Sequence, residues 1–318
     1  MPTDPVLASY SDLAYGTALV LYLVALVLHA VEYSAGRLPA AVNARAGSSA
    51  AGGAGSIATL APPAGVPRRS VTERIGRSGV ALTGLAILVH AGSLALRGAA
   101  VGKVPWSNMY EFISAICLVA VGCWLVVLYR QRRAAAPLQR LGGFVLLPVV
   151  VLMFLGGTVL YAQAEPLIPA LNSYWITIHV SAAITATGVL LVSGVASVLY
   201  LLSVGDHSRF AARLPASAAL DRLAYRTAVM ALPIWTFAII TGAIWAEAAW
   251  GRYWGWDPKE TCALVAWVVY AGYLHARATA GWRGSRSAWI NVVGFGVMLF
   301  NLFFVNIVVA GLHSYAGV

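Results

Sequence analysis

Acidic residues are scarce in this 318-residue chain: 11 Asp and Glu stand against 21 Lys and Arg, and charged types together make only 10% of it. A soluble domain carries about 25% charged residues. With 60% hydrophobic residues and a mean hydropathy of +0.79, there is too little polar surface to cover a water-soluble core of that size. That excludes a soluble cytosolic enzyme and a disordered chain. Cysteine is also sparse: Cys117, Cys123 and Cys262 lie inside apolar runs, and no CxxC pair occurs. A secreted disulfide scaffold and a redox dithiol are thereby excluded, and the three read as small buried hydrophobes. The net charge of +10 does not indicate nucleic acid, because the basic residues are spread thinly between long apolar runs. In a membrane protein such residues set topology.

What the chain has in abundance is apolar runs long enough to cross a bilayer, about 20 residues each. Eight qualify: 13–32, 78–97, 107–129, 141–162, 173–203, 224–247, 261–279 and 288–312. The expected fold is an all-α polytopic membrane protein of about eight transmembrane helices. The first run reads as a retained span rather than a cleaved signal. Seventeen of the 21 basic residues fall in 33–77, 130–140, 204–226 and 276–287, leaving Arg97, Lys103, Arg252 and Lys259 on the other side. The positive side is the cytoplasmic one, so both termini are expected outside. Residues 1–32 form the first transmembrane helix. The Ala-, Gly-, Ser- and Pro-rich stretch 33–77 reads as a flexible cytoplasmic linker. Residues 78–318 form a seven-helix bundle with an external loop at 245–261.

That loop reads WAEAAWGRYWGWDPKET, and Trp245, Trp250, Trp254, Trp256 and Trp267 are five of the chain's 11 tryptophans. Tryptophan favours the membrane–water boundary, but a belt requires neither this density nor the interleaved Gly251 and Gly255. Small residues between large rings let the backbone approach a flat ligand, so the segment reads as a platform for a planar, apolar molecule. Asp257, Pro258 and Glu260 also spell a helix N-terminus, which accounts for both acids without any function.

The histidines sharpen the ligand. His179 near the start of the fifth span and His313 at the end of the eighth both flank the tryptophan face by topology. Two neutral imidazoles on different helices at one depth suit the two axial positions of haem iron. Zinc is a poorer match, since no cysteine or carboxylate cluster completes a tetrahedral set. His275 lies about 22 Å deeper along the seventh span at 1.5 Å per residue. There it marks a second, inner ligand position, with His29 at similar depth and His90 nearer the middle. His207 reads as a solvated loop residue.

At these residues the chain resembles a known family. WGRYWGWDPKET (250–261) is similar to the tryptophan-rich WWD signature of the haem-handling protein superfamily, and its PKET ending resembles the CcsA/ResC branch of System II cytochrome c biogenesis. PWSNMYEF (105–112) and GLHSY (311–315) support the same branch, and the likeness covers most of 78–318. The resemblance implies a plasma-membrane, multi-pass subunit of a cytochrome c synthase, a haem lyase active with a ResB-like membrane partner. It would bind haem b as substrate and attach it to the CxxCH of apocytochrome c on the extracytoplasmic face, served by a thiol-reducing pathway and involving no nucleic acid. His179 and His313 would be the outer axial ligands and catalytic residues. Trp250, Gly251, Tyr253, Trp254, Gly255, Trp256 and Asp257 would form the haem surface. His275 would be the inner haem ligand, its co-ligand supplied by the partner rather than by His29 or His90. No role follows for Asn108, Tyr110 and Glu111 beyond capping or packing. Arg252 and Lys259 suit either haem propionates or interfacial anchoring. This chain has no CxxCH of its own, which fits a synthase rather than a cytochrome. Competing readings are a haem exporter, a haem-delivery chaperone without synthase activity, a solute transporter and a membrane cytochrome b. Membrane lipid surrounds the bundle in every case.

Overall fold

The computed structural model describes residues 3–35, 71–131, 136–165, 173–205, 208, 210–279, 281–309 and 311–313. Eight α-helices run through them: α1 (Pro5–Ala35), α2 (Val71–Val101), α3 (Met109–Arg130), α4 (Gly142–Thr158), α5 (Tyr174–Gly205), α6 (Ser217–Trp250), α7 (Pro258–Ala278) and α8 (Ser285–Ile307). No strand occurs among the described residues. Seven of the eight are long and apolar enough to cross a membrane, α4 together with the turn that leads into it from Leu138. The other, α7, has 21 residues and is diluted by Lys259, Glu260, His275 and Arg277. The all-helical, polytopic architecture is therefore as expected. α1 and α2 extend into the stretch expected as linker, whose residues 36–70 lie outside the described ones, as does His207.

The bundle has two halves. α1 packs along α2, α1 also meets α4 and α2 meets α3, while α5 packs along α6 and α7 along α8; contacts of α3 with α5 join the halves. Between lipid-embedded helices apolar burial gives little drive, so close packing and interhelical hydrogen bonds hold the contacts. Ser11 and Ser93 lock α1 to α2 reciprocally, each hydroxyl donating to the other's carbonyl at 3.0 and 2.9 Å. The Asn291 amide likewise ties α8 to α5, donating to the hydroxyls of Ser193 and Ser197 at 2.9 and 2.7 Å.

One boundary differs from the sequence expectation and matters for the site. The segment 245–261 is not a continuous loop: α6 continues through Trp250, and α7 begins at Pro258. The Ala-rich run WAEAAW favours helix, which closes at Gly251 in the left-handed conformation (φ 71°). At the other side Asp257 caps α7 through a reciprocal capping box with Glu260, with Pro258 in the first turn. Only residues 251–257 connect the two helices. They are drawn tight, because Glu260 accepts from the backbone N–H groups of both Gly255 (2.9 Å) and Asp257 (3.1 Å). Trp256 between them has φ 58°, an uncommon conformation for an aromatic residue.

Candidate functional site

The starts of α3, α5 and α7 and the ends of α6 and α8 lie at one end of the bundle, around a cavity of about 1430 Å³ that includes its open mouth. Its lining is mainly aromatic and aliphatic, and both His179 and His313 belong to it. Trp245, only 1% exposed, is in ring contact with each. Its centroid lies 6.2 Å from His179 with planes 6° apart, and 5.9 Å from His313 at 59°. Trp250 sits edge-on to Trp245 at 4.7 Å and to His313 at 5.1 Å.

The hydrogen bonds fix the tautomer of each histidine. His179 Nδ1 lies 2.7 Å from the carbonyl oxygen of Ala238 on α6, an acceptor only, so Nδ1 carries the proton and Nε2 the lone pair. Gly242, one turn further along α6, makes room for this: a Cβ there would lie 2.6 Å from His179 Cε1. His313 Nδ1 lies 2.7 Å from Asp257 Oδ2, with the same consequence for its Nε2. An imidazole that donates through Nδ1 to a carbonyl or carboxylate is the usual arrangement for a metal-ligating histidine, because the outer bond sets ring orientation and basicity.

Asp257 thus does two things at once. Its Oδ2 accepts from the Lys259 amide at 3.2 Å as the cap of α7, and its Oδ1 accepts from the Leu312 amide at 2.8 Å. Burial works to raise its carboxyl, but the Leu312 amide, His313 and the Lys259 amide hold it below the ordinary value. Burial pushes the His313 imidazole down, the Lys259 ammonium adds to this, and the Asp257 carboxylate opposes without overcoming it. The pair is therefore a neutral imidazole donating to a carboxylate, so His313 retains a metal-competent lone pair at neutral pH. Capping accounts for Asp257 and Glu260 as the sequence implied, but sequence alone carried no sign of the contact with His313.

The other residues singled out from the sequence divide. Trp250, Tyr253 and Trp254 line the cavity, whereas Gly251, Gly255 and Trp256 do not, and Trp256 is 68% exposed. His275 is an exposed residue of α7, away from the cavity lining. His29 and His90 are buried in the half formed by α1–α4. His90 Nε2 is 2.8 Å from the Ser114 hydroxyl, and a Cβ at Gly142 would lie 2.6 Å from the His29 ring. Among the described residues no three His, Cys, Asp or Glu side chains gather as a metal site.

The motif 105–112 shows the capping expected of it, and a place in the cavity wall that sequence reasoning missed. Val104, Trp106, Ser107, Asn108, Met109 and Phe112 form one wall of the cavity. Asn108 caps α3, its side chain accepting from the Glu111 amide at 2.9 Å. Fully buried Glu111 accepts from Arg97 Nε at 3.0 Å and from the Ser107 amide and hydroxyl at 2.9 and 3.0 Å. Arg97, 1% exposed, also reaches Asp12 and the Ala162 carbonyl, and lies 4.9 Å over the Tyr110 ring. An ion pair deep in the fold thus pins the wall to α1, α2 and the segment after α4. The signal available in sequence was a lone Arg97 within an apolar run, which calls for an acidic partner.

Comparison with known proteins agrees with this geometry. Residues 106–313 match the family model described as cytochrome C assembly protein; that segment begins at Trp106 and ends at His313, both cavity residues. The "Cytochrome c biogenesis protein CcsA" of Prochlorococcus marinus (strain MIT 9303) is 36% identical over 266 residues, covering 74% of this chain and 82% of its own. That of Synechococcus sp. (strain RCC307) is 37% identical over 242 residues, covering 67% and 76%. A third, from Chlamydomonas reinhardtii, is 37% identical over 220 residues, covering 67% and 61%. A multi-pass helical bundle with an aromatic, histidine-bearing cavity thus coincides with sustained identity to one group of relatives, and the chain belongs to the cytochrome c assembly family as a CcsA-type protein with a role in cytochrome c maturation.

Proposed function

We propose that the protein is the membrane subunit of a System II cytochrome c synthase, and that its cavity holds haem b as the substrate joined to apocytochrome c. The observation that carries this is the pair His179 and His313. They stand on different elements of one apolar cavity, and each is committed through Nδ1 so that Nε2 is the ligating nitrogen. Trp245, Trp250 and Trp254 supply flat apolar surface beside them, which suits a porphyrin. The donor set thus fits an iron porphyrin and does not fit a bare zinc ion.

On this reading His179 and His313 fix the orientation of the bound substrate, and Asp257 keeps His313 in the ligating tautomer. Haem supplies two vinyl groups; a CxxCH thiol adds its S–H across each, sulfur to one carbon and hydrogen to the other. The cavity's contribution is positioning, holding the reactive edge toward incoming thiols. The distribution of basic residues supports an extracytoplasmic cavity in the plasma membrane, with 33–77 a cytoplasmic linker. His275, exposed on α7, suits an inner ligand whose co-ligand comes from another chain, a ResB-like partner. His29 and His90 are enclosed within α1–α4 and do not suit that role.

Two variants probe the ligand geometry. Asp257→Asn is expected to weaken haem affinity roughly 10–100-fold, the usual effect of losing a metal ligand's outer-shell partner. The check is a Soret titration at pH 7, where an affinity equal to that of wild type counts against the orienting role. Gly242→Ala removes a helix-interior glycine, which alone favours α6 by up to about 1 kcal/mol. Yet it drives a methyl against His179, so haem affinity is expected to fall while thermal stability does not.

The function itself is tested by purifying the protein with and without a coexpressed ResB-like partner, recording absorption spectra and assaying attachment to a CxxCH peptide. Thioether product only from the pair supports the synthase. Haem bound by the pair without product on a reduced peptide, under reducing conditions, favours an exporter or delivery chaperone. A haem-free protein in both preparations overturns the haem assignment.

A further inference from the structure

Lys259 stands apart from the rest of the cavity lining. Among the described lining residues it is the one Lys or Arg. Its ammonium donates to the Oδ1 of Asn306, a neutral amide from the end of α8. Asn306 is itself held by donation from its Nδ2 to the Leu302 carbonyl at 2.6 Å. The ion pairs among the described residues are His29–Glu32, Arg97–Asp12, Arg97–Glu111, Arg277–Asp221 and His313–Asp257; Lys259 takes part in none.

Of the nearby acids, Asp257 is committed through both oxygens and Glu260 through one. Asp257 accepts from the backbone N–H of Lys259, from the Leu312 N–H and from His313. Glu260 Oε2 takes the amides of Gly255 and Asp257. A half-buried ammonium whose hydrogen bond goes to a neutral amide, and whose carboxylate neighbour Asp257 is already taken by three donors, gains from a further anion. The one carboxylate among the described lining residues, Glu260, holds the turn before α7 and makes no ion pair with Lys259, so that anion is a group on the ligand. Arg252 is differently placed: its guanidinium folds against Gly255, where a Cβ would lie 0.9 Å from Nη1, and it is absent from the lining. The two cations that sequence left equivalent are thus separated by the fold.

We propose that Lys259 is the specificity residue for a carboxylate carried by the cavity's ligand, and that Asn306 positions its ammonium to receive it. The inference rests on the haem reading above, in which the carboxylate is a propionate. It deepens that reading by making the cavity selective for the free acid over an esterified porphyrin.

The test is a Soret titration of the purified, haem-depleted full chain with haem and with haem dimethyl ester, using wild type, Lys259→Met, Lys259→Arg and Arg252→Met. Wild type is expected to prefer haem over the diester by roughly tenfold or more, the scale of one charged hydrogen bond. Lys259→Met is expected to lose that preference while binding the diester as wild type does, which also shows that the variant is folded. Lys259→Arg and Arg252→Met are expected to keep it. Equal preference in wild type and Lys259→Met overturns the proposal, as does an equal fall for both ligands. A wild type that binds neither porphyrin fails at the earlier step and refutes the haem reading itself.

Discussion

His313→Ala and His179→Ala are each expected to leave a stably inserted protein that yields little cytochrome c. The loss in haem affinity should exceed the roughly 10–100-fold that follows from removing only an outer-shell partner, because a ligand is lost outright. Neither side chain is a packing keystone: both are partly buried at an open cavity, and each makes its Nδ1 hydrogen bond to a partner with further bonds of its own. Truncation should therefore spare the bundle. The check is covalent haem in a reporter cytochrome c, measured beside the amount of membrane-inserted protein. Wild-type yield from either variant would sink the ligand assignment, whereas loss of the protein itself would show a structural role.

Arg97→Ala is expected to act through stability instead. It leaves Glu111, which has no exposed surface, buried without its cation, and breaking such a pair by removing one partner costs about 3–5 kcal/mol. The damage should spread to the cavity wall, because Glu111 also receives the Ser107 amide and hydroxyl. Replacing both charges, as in Arg97→Met with Glu111→Leu, should restore much of the stability, since a hydrophobic pair of similar volume is often neutral or better. Thermal unfolding of the purified protein in detergent reads both variants. A double variant as unstable as the single would show that the charge pair is required in itself.

Much of the fold was legible because lipid imposes one rule: every backbone polar group must be satisfied within its own segment, so long apolar runs become helices. The least legible helix end was that of α6. Trp245 and Trp250 look like loop aromatics in sequence because nothing local distinguishes a wet helix terminus from a loop; Gly251 was the available stop signal. α7 was recognisable through its capping residues even though polar side chains dilute its apolar run.

Of the candidate site, the residue types were legible in sequence and their connections were not. Tryptophan density and two histidines expected at one depth singled out residues that share one cavity. Which groups orient those histidines could not be read, because Ala238 and Asp257 lie 59 and 56 positions away in the chain. Asp257 was concealed further by its capping role, which already explained its presence. Gly242 carries no sequence signal at all, since its importance is a clearance from a side chain on another helix. Glu111 and Arg97 were separable from ordinary polar residues only once their mutual burial was visible.

The central claim is that His179 and His313 together ligate haem iron. It is tested most directly by electron paramagnetic resonance of the oxidised, haem-loaded protein, comparing wild type with His313→Gly before and after addition of imidazole. A low-spin bis-imidazole signal in wild type, lost in the variant and restored by imidazole, is the predicted result. An unchanged low-spin signal in His313→Gly without imidazole would contradict it.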